Sequence, residues 1–337
     1  MERAWDCVCG GIVVADLVGA PIESVPEAGG LALLANITFS IGGCASNVAV
    51  DLAHLHTRVL LSGYVGEDLF GRAIREQLLS AGVDTCQLMT QPAVPTSSTF
   101  VLNIQGEDRR FLHCVGANAH YTAHTIDSGL LSQARVLYIG GYGLLPALTP
   151  ERVSMLFTQA RELGVVTVLN VVLPPPGPMT RHAYSQRRSN IGGVYWDWVS
   201  PVLPYTDYFI PNRDEAVLVT GHPDVLQQGN MLRETGTKTV IITGGKDGAW
   251  CFTRHETWYI PAYNVTAVDA TGTGDAFVAG LIWGLLHAEP LEQCLIYGTA
   301  MGARCVQVLG ATSAATKPDE LREFVRSQPL EVQILRV

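Results

Sequence analysis

The chain has 337 residues, 47 % of them hydrophobic and 16 % charged, and Lys plus Arg total 22 against 31 for Asp plus Glu, a formal net charge of −9. That is enough apolar material for a sizeable buried core and unlike a disordered chain, while an acidic balance with no basic run argues against a nucleic-acid partner. Any anionic substrate must therefore be held locally, by backbone dipoles or a metal. The eight cysteines, at 7, 9, 44, 86, 114, 251, 294 and 305, include no Cys-x-x-Cys pair, so buried thiols in a reducing cytosol account for them better than zinc does. No stretch reaches membrane-spanning length, and an N-terminus carrying Glu2 and Asp6 is unlike a signal peptide. The expectation is a cytoplasmic protein with no membrane partner.

In chain order, the apolar run Cys7 to Ala15 reads as a first strand that sets Cys7 and Cys9 on one face and ends at Asp16. Residues 12–42 carry strand patterns without helices. Ile41-Gly42-Gly43-Cys44-Ala45-Ser46-Asn47 opens a helix over Ser46–Leu55, its glycines freeing the backbone and Asn47 near the start, where Asn is commonly a cap. Along that helix Ser46, Asp51 and His54 are too local to form a triad. A strand at Val59–Ser62, a tight turn over Gly63–Gly71 and a helix Gly71–Ala81 follow. Residues 97–115 read as a hairpin: Phe100, Leu102 and Ile104 alternate with Val101, Asn103 and Gln105, Gly106-Glu107-Asp108 turns, and Arg109–Cys114 returns. Thereafter strands at Val136–Gly140, Val165–Asn170, Tyr208–Pro211 and Lys238–Thr243 alternate with helices such as Pro150–Leu163 and Arg213–Thr220. Such alternation predicts a three-layer αβα fold with a mostly parallel sheet covered on both faces. The pieces at about 13–42 and 97–117 are expected to pair as a small antiparallel β lid on one domain spanning 1–337. Pro174 to Val194, longer than most loops, reads as a surface insertion.

The most informative segment is Asp269-Ala270-Thr271-Gly272-Thr273-Gly274-Asp275-Ala276-Phe277, followed by an apolar stretch to Leu286. That stretch reads as a buried helix, which places Gly272, Thr273 and Gly274 at its N-terminus. Unpaired N–H groups and the positive end of the helix dipole favour an anion there, and small residues let a phosphate approach the main chain. Asp275, in the first turn beside that anion, is suited to take a proton from a hydroxyl attacking the phosphate. The plain alternative is that Asp is favoured in any first helical turn. Neither better-known phosphate loop is present. Thr243-Gly244-Gly245-Lys246-Asp247-Gly248 has a lysine but no hydroxyl after it to hold magnesium, and Gly272-x-Gly274 lacks the third glycine of a dinucleotide fingerprint.

The segment from Asp269 resembles the C-terminal signature of the ribokinase-like (PfkB-type) carbohydrate kinases, Asp-Thr-x-Gly-Ala-Gly-Asp-x-Phe, departing at Ala270 and Thr273. Gly42, Gly43, Asn47 and Ala49 are similar to the family's N-terminal Gly-Gly-x-x-x-Asn-x-Ala, and Asn212 with Glu215 to its Asn-x-x-Glu. Together with Asp16 they spread the resemblance over nearly the whole chain. It implies an ATP-dependent kinase in which Asp275 is the base and the N–H groups of Gly272, Thr273 and Gly274 hold the transferring phosphate. It implies acceptor hydroxyls bound by Asp16, Gly42, Gly43 and Asn47. ATP is implied along Asn212, Thr243, Gly245 and Gly248, Mg²⁺ near Glu215 through water, and K⁺ at Asp269 and the Thr271 carbonyl, with Gly310 near its second loop. The family often dimerises through the lid.

The acceptor is less sharply marked. After Val136–Gly140 the chain reads Gly140-Gly141-Tyr142-Gly143, without the Glu that ribokinases carry there, and the lid return Phe111–Val115 offers no cation for a sugar acid, although Arg109 and Arg110 are close. A small neutral sugar phosphorylated on a primary hydroxyl is expected. A nucleoside, with Tyr142 stacking on its base, remains open, as does a non-catalytic sugar-binding regulator on the same fold. A nucleotide-cofactor oxidoreductase is disfavoured by the missing fingerprint.

Overall fold

The first apolar run is not one strand. β1 (Trp5–Gly11) ends where Gly11 adopts φ +141, a site at which a Cβ would lie 2.0 Å from the Gly140 carbonyl oxygen. The chain then leaves that sheet and resumes as β2 (Val14–Gly19) in another. Asp16 therefore lies within a strand of the second sheet, not at the end of the first.

The computed structural model describes residues 3–105, 110–175, 177 and 192–335. The second sheet has the order β3-β2-β6-β7, with β3 at Ile37–Gly42, β6 at Ser98–Leu102 and β7 at Arg110–Cys114. β2 with β3 and β6 with β7 are antiparallel, and β2 joins β6 in parallel. The two sequence pieces expected to pair thus do so, although the turn 106–108 and most of the 174–194 insertion lie outside the described residues.

The main sheet comprises β1, β4 (Val59–Gly66), β5 (Asp84–Gln91), β8 (Ala134–Tyr142), β9 (Val166–Val171), β10 (Tyr208–Phe209), β11 (Thr239–Thr243), β12 (Ala249–Phe252), β13 (Thr257–Ile260) and β14 (Gln333–Leu335). Their order is β14-β13-β12-β11-β10-β9-β8-β1-β4-β5, parallel from β11 to β5 and antiparallel toward β14. β4 absorbs Gly63–Gly66, read above as part of a turn. The bend falls at Asp68, whose carboxylate accepts the Gly71 N–H at 2.8 Å and the Thr96 hydroxyl at 2.6 Å.

Among the described residues, ten helices cover the two faces of the main sheet: α1 (Cys44–His54), α2 (Leu69–Ser80), α3 (Ser128–Ser132), α4 (Pro150–Glu162), α5 (Trp196–Val199), α6 (Arg213–Thr220), α7 (Val225–Glu234), α8 (Thr273–Leu286), α9 (Leu291–Cys305) and α10 (Pro318–Ser327). Strand alternation sorts the core. Cys7, Cys9, Val136 and Tyr138 face the layer of α1, α2, α8, α9 and α10, while Val8, Leu137 and Ile139 face that of α3 to α7. α8 is apolar nearly all round because it is buried nearly all round, Trp283 included; each large side chain so buried contributes about 1.5–3 kcal/mol. Among the described residues no helix is long and apolar enough to cross a membrane.

Candidate active site

Gly272 is the N-cap of α8, at φ +76, where a Cβ would lie 2.5 Å from that of Ala311. Gly274 is different: its φ is not left-handed, and nothing lies within 4 Å of where its Cβ would be. No internal packing requires that glycine, so it leaves open space above the helix end. Thr273, the departure inside the loop, turns inward. Its hydroxyl and its N–H both donate to the Ala270 carbonyl, at 3.0 and 3.3 Å. Its N–H is thus already engaged, and the N–H groups without a partner among the described residues are those of Gly272, Gly274 and Asp275. They form an anion site at the positive end of a 14-residue helix.

Asp275 is buried and points toward α1, where the Asn47 amide Nδ2 donates to its Oδ2 at 2.8 Å. Burial raises its carboxyl above the ordinary range, opposed by hydrogen bonds from Asn47 and Cys44. Asn47 therefore presents its donor end to Asp275. Gly42 and Gly43 are required by sterics: a Cβ on Gly42 would lie 2.0 Å from the Asp16 Oδ2, and Gly43 takes φ +92 with Ile12's carbonyl 2.6 Å from its Cβ position. Asp16 is thereby seated against the start of α1. Burial pushes its carboxyl up to about 6; Asp275 and Asp269 push the same way, against the Thr99 hydroxyl's hydrogen bond. Asp16, Asp275, Asn47 and the two glycines thus converge, from a lid strand and two helix ends.

A cleft of about 880 Å³ opens on the other side of the α8 N-terminus, lined by Thr273 and Gly274, by Asn212 and by Thr243 to Gly248. Asn212 and Thr243 are neighbours, joined by the Thr243 N–H to the Pro211 carbonyl at 3.1 Å. The Thr243–Gly248 segment is a tight turn, closed by Gly244 N–H to Gly248 O at 2.7 Å. Asn212 and Glu215 form a reciprocal capping box on α6: Asn212 Oδ1 accepts the Glu215 N–H at 2.9 Å and Glu215 Oε2 accepts the Asn212 N–H at 2.8 Å. The capping chemistry read in the sequence is there, and it uses one of the two Glu215 oxygens. Burial pushes that carboxyl up to about 8, with Asp275 and Asp214 adding to it and the Asn212 N–H opposing it.

Asp269 accepts three hydrogen bonds from the chain itself. Its Oδ1 accepts the Thr271 N–H at 2.9 Å and hydroxyl at 2.7 Å, and its Oδ2 the Gly310 N–H at 2.9 Å. Gly310 does come to Asp269, but as a donor. The Thr271 and Ala311 carbonyls both meet the Cys305 thiol, at 3.4 and 3.3 Å. This arrangement ties the phosphate loop to the 310–311 loop by hydrogen bonds.

Tyr142 is fully buried, donates to the Trp198 carbonyl at 3.0 Å and stacks on Trp198. It belongs to the core and not to a base-stacking site. Three further residues bear on the site and its supports. Asn170, at the end of β9, donates to the Ile210 carbonyl at 3.0 Å and leaves Oδ1 buried without a partner. Asn118 pins the crossing between the sheets through both backbone groups of Val13, at 3.2 and 3.1 Å. Cys44 shares the Asp275 carboxylate with Asn47. An amide at a strand end is the only signal for Asn170, Asn118 is marked by the segment Val115-Gly116-Ala117-Asn118, which ends the lid hairpin and resembles the family's return to the core, and nothing local marks Cys44.

The family model of the pfkB carbohydrate kinases matches residues 5–318. The chain belongs to that family. Its chemistry is phosphoryl transfer to a sugar hydroxyl, and it is a sugar kinase of the ribokinase type. A 5-dehydro-2-deoxygluconokinase of Lacticaseibacillus casei is 24 % identical over 291 residues, covering 85 % of this chain and 86 % of that one. The aminoimidazole riboside kinase of Salmonella typhimurium is 28 % identical over 295 residues, covering 86 % and 89 %. The fold matches that of Arabidopsis thaliana ribokinase complexed with ribose and ATP, with a TM-score of 0.79 at 21 % identity over 97 % of this chain and 99 % of that one.

Proposed function

We propose that this pfkB-family kinase transfers the γ-phosphoryl group of ATP to a primary hydroxyl of a small neutral sugar. The observation that carries the reading is the α8 N-terminus, where partner-free N–H groups and a buried carboxylate meet between a nucleotide-sized cleft and the lid. Asp275 accepts the hydroxyl proton as the oxygen attacks phosphorus, and the N–H groups of Gly272 and Gly274, with the helix dipole, stabilise charge on the transferring group. Asp16 accepts hydrogen bonds from acceptor hydroxyls and, with Gly42 and Gly43, sets the sugar against the start of α1. The shared fold of a ribokinase complexed with ribose and ATP is in keeping with a kinase that takes both a sugar and ATP.

ATP lies along Asn212, Thr243, Gly245 and Gly248. The Glu215 oxygen not used in the cap, together with Asn212, suits a hydrated Mg²⁺, which supplies charge neutralisation on the phosphates when bound. The Asp269 carboxylate and the Thr271 carbonyl, which accepts a weak contact from the Cys305 thiol, suit a K⁺ ion beside the anion site. The neutral acceptor follows from charge: Asp16 and Asp275 share one buried site, with Asp269 near enough to act on Asp16, and a sugar acid would add another negative charge. The lid presents Phe111 and Leu112 to solvent on its outer strand, and a second copy docking there gives a homodimer. Eight free thiols fit a reducing, cytoplasmic setting. The test is ADP release with Mg²⁺, in K⁺ and in Na⁺, across neutral sugars, sugar acids and nucleosides. A neutral sugar giving the highest kcat/KM supports the reading. A nucleoside or a sugar acid in that place overturns the acceptor assignment, and sugar binding without ADP release overturns the kinase.

A further inference from the structure

One face of α1 carries polar groups into a layer that is otherwise apolar. Cys44, Asn47 and Asp51 follow one another at helical spacing, all buried, on the helix that packs against α8. The first two reach Asp275, and Asp51 lies one turn deeper than Asn47.

Two acceptor atoms on this face lack a donor. Asn47 uses its Nδ2 on Asp275, which leaves its Oδ1 buried and unpaired, and the Asp51 Oδ2 is buried and unpaired as well. Turning the Asn47 amide over does not help, since its carbonyl would then face the Asp275 carboxylate. Residues four apart on a helix are neighbours, so the two orphaned oxygens belong to adjacent side chains. Two acceptors side by side in a dry layer are costly, and one proton placed between them satisfies both.

We infer that Asp51 is held as a neutral carboxylic acid that donates to the Asn47 carbonyl, so that Asn47 keeps its amide N–H on Asp275. Asp51 is thus a positioning residue that acts through Asn47 on the base, an inference resting on the assignment of Asp275 as that base. Its surroundings favour the neutral form: burial raises the Asp51 carboxyl well above the carboxylate range and the Asp275 charge adds to it. The other titratable groups on the elements around it are the Cys7 and Cys9 thiols of β1, the Tyr138 hydroxyl of β8, and Cys44 and His54 of α1 itself, while β4 turns Tyr64 to the opposite layer. His54, whose Nδ1 is likewise buried without a partner, is the one base among them, and burial lowers its imidazole below the ordinary value, which disfavours taking the proton. Hydrogen bonding through Asn47 stabilises the ionised Asp275.

Asp51→Ala is expected to lower kcat about 10–100-fold with KM for ATP and acceptor little changed, as for other residues that orient a functional group from behind. It should also move the acid limb of the kcat–pH profile upward. Asp51→Asn, whose amide also donates, should restore both. An Asp51→Ala enzyme with wild-type kcat and acid limb would overturn the inference, as would a folded Asp51→Asn enzyme as slow as the alanine variant. An infrared difference spectrum, wild type minus Asp51→Asn at neutral pH, reads the proton without activity and stands even where the alanine variant does not fold. The carbonyl band of a buried neutral carboxyl is expected in it, and its absence rejects the inference whatever becomes of the assignment of Asp275, which Asp275→Asn tests separately.

Discussion

Two glycine-rich helix starts meet in this molecule and use glycine for different reasons. At α1, both glycines are required by the protein's own atoms, the Asp16 carboxylate at Gly42 and the Ile12 carbonyl at Gly43. At α8, Gly272 is likewise required by Ala311, but Gly274 meets nothing of the protein. A glycine that no internal contact explains leaves room for a ligand, whereas one wedged against a carboxylate seats that carboxylate. The first start builds the acceptor side and the second the phosphate side, and the 2.8 Å bond from Asn47 to Asp275 joins them.

The sharpest way to break the comparison is at the junction. Asp275→Asn should lower kcat by about 10²–10⁴-fold while ATP still binds, as read by calorimetry beside steady-state rates. Next, Gly42→Ala should raise the acceptor KM by about tenfold or more with KM for ATP little changed, since the methyl displaces Asp16 and misplacement near the reacting group is expensive. Gly274→Ala should do the reverse, raising KM for ATP or lowering kcat with an unchanged melting temperature. Gly272→Ala should instead destabilise the fold by about 1–3 kcal/mol, seen as a lower Tm, because it puts an alanine at φ +76 against Ala311.

The smallest expected effect is in pH. With the Asp16 carboxyl pushed up to about 6, the acceptor KM should rise as pH falls through that value, and Asp16→Asn should remove the dependence. Stability should run the other way. Asp16 holds its proton in the fold at pH values where the unfolded chain has lost it, so its contribution declines as pH rises from about 4 toward 6. Urea unfolding midpoints over that range, wild type against Asp16→Asn, check the sign.

Much of this was legible in the sequence, because the signals were local and periodic. The helix Arg213–Thr220 falls where its capping residues place it, and the apolar run after Asp275 is a buried helix. The pairing of two lid segments followed from strand patterns that had no helix between them. What was not legible depends on contacts between distant segments. Gly10 and Gly11 look like part of one apolar strand, and only the approach of Gly140 shows that the chain must change sheets there. Tyr142 beside two glycines reads as a pocket aromatic until Trp198 is seen to hold it. Asp269 reads as a cation ligand, and only the fold shows that Gly310, 41 residues away, donates to its carboxylate. Asp51 carries no motif at all, and its interest arises only from the orphaned oxygens around it.

Single-turnover phosphoryl transfer tests the central claim most directly, with saturating ATP, Mg²⁺ and the best neutral sugar, in wild type and Asp275→Asn. The account predicts a phosphate monoester of the sugar formed rapidly by the wild type, and by the variant only at a rate lower by two or more orders of magnitude with both substrates bound. Equal rates in the two would contradict it.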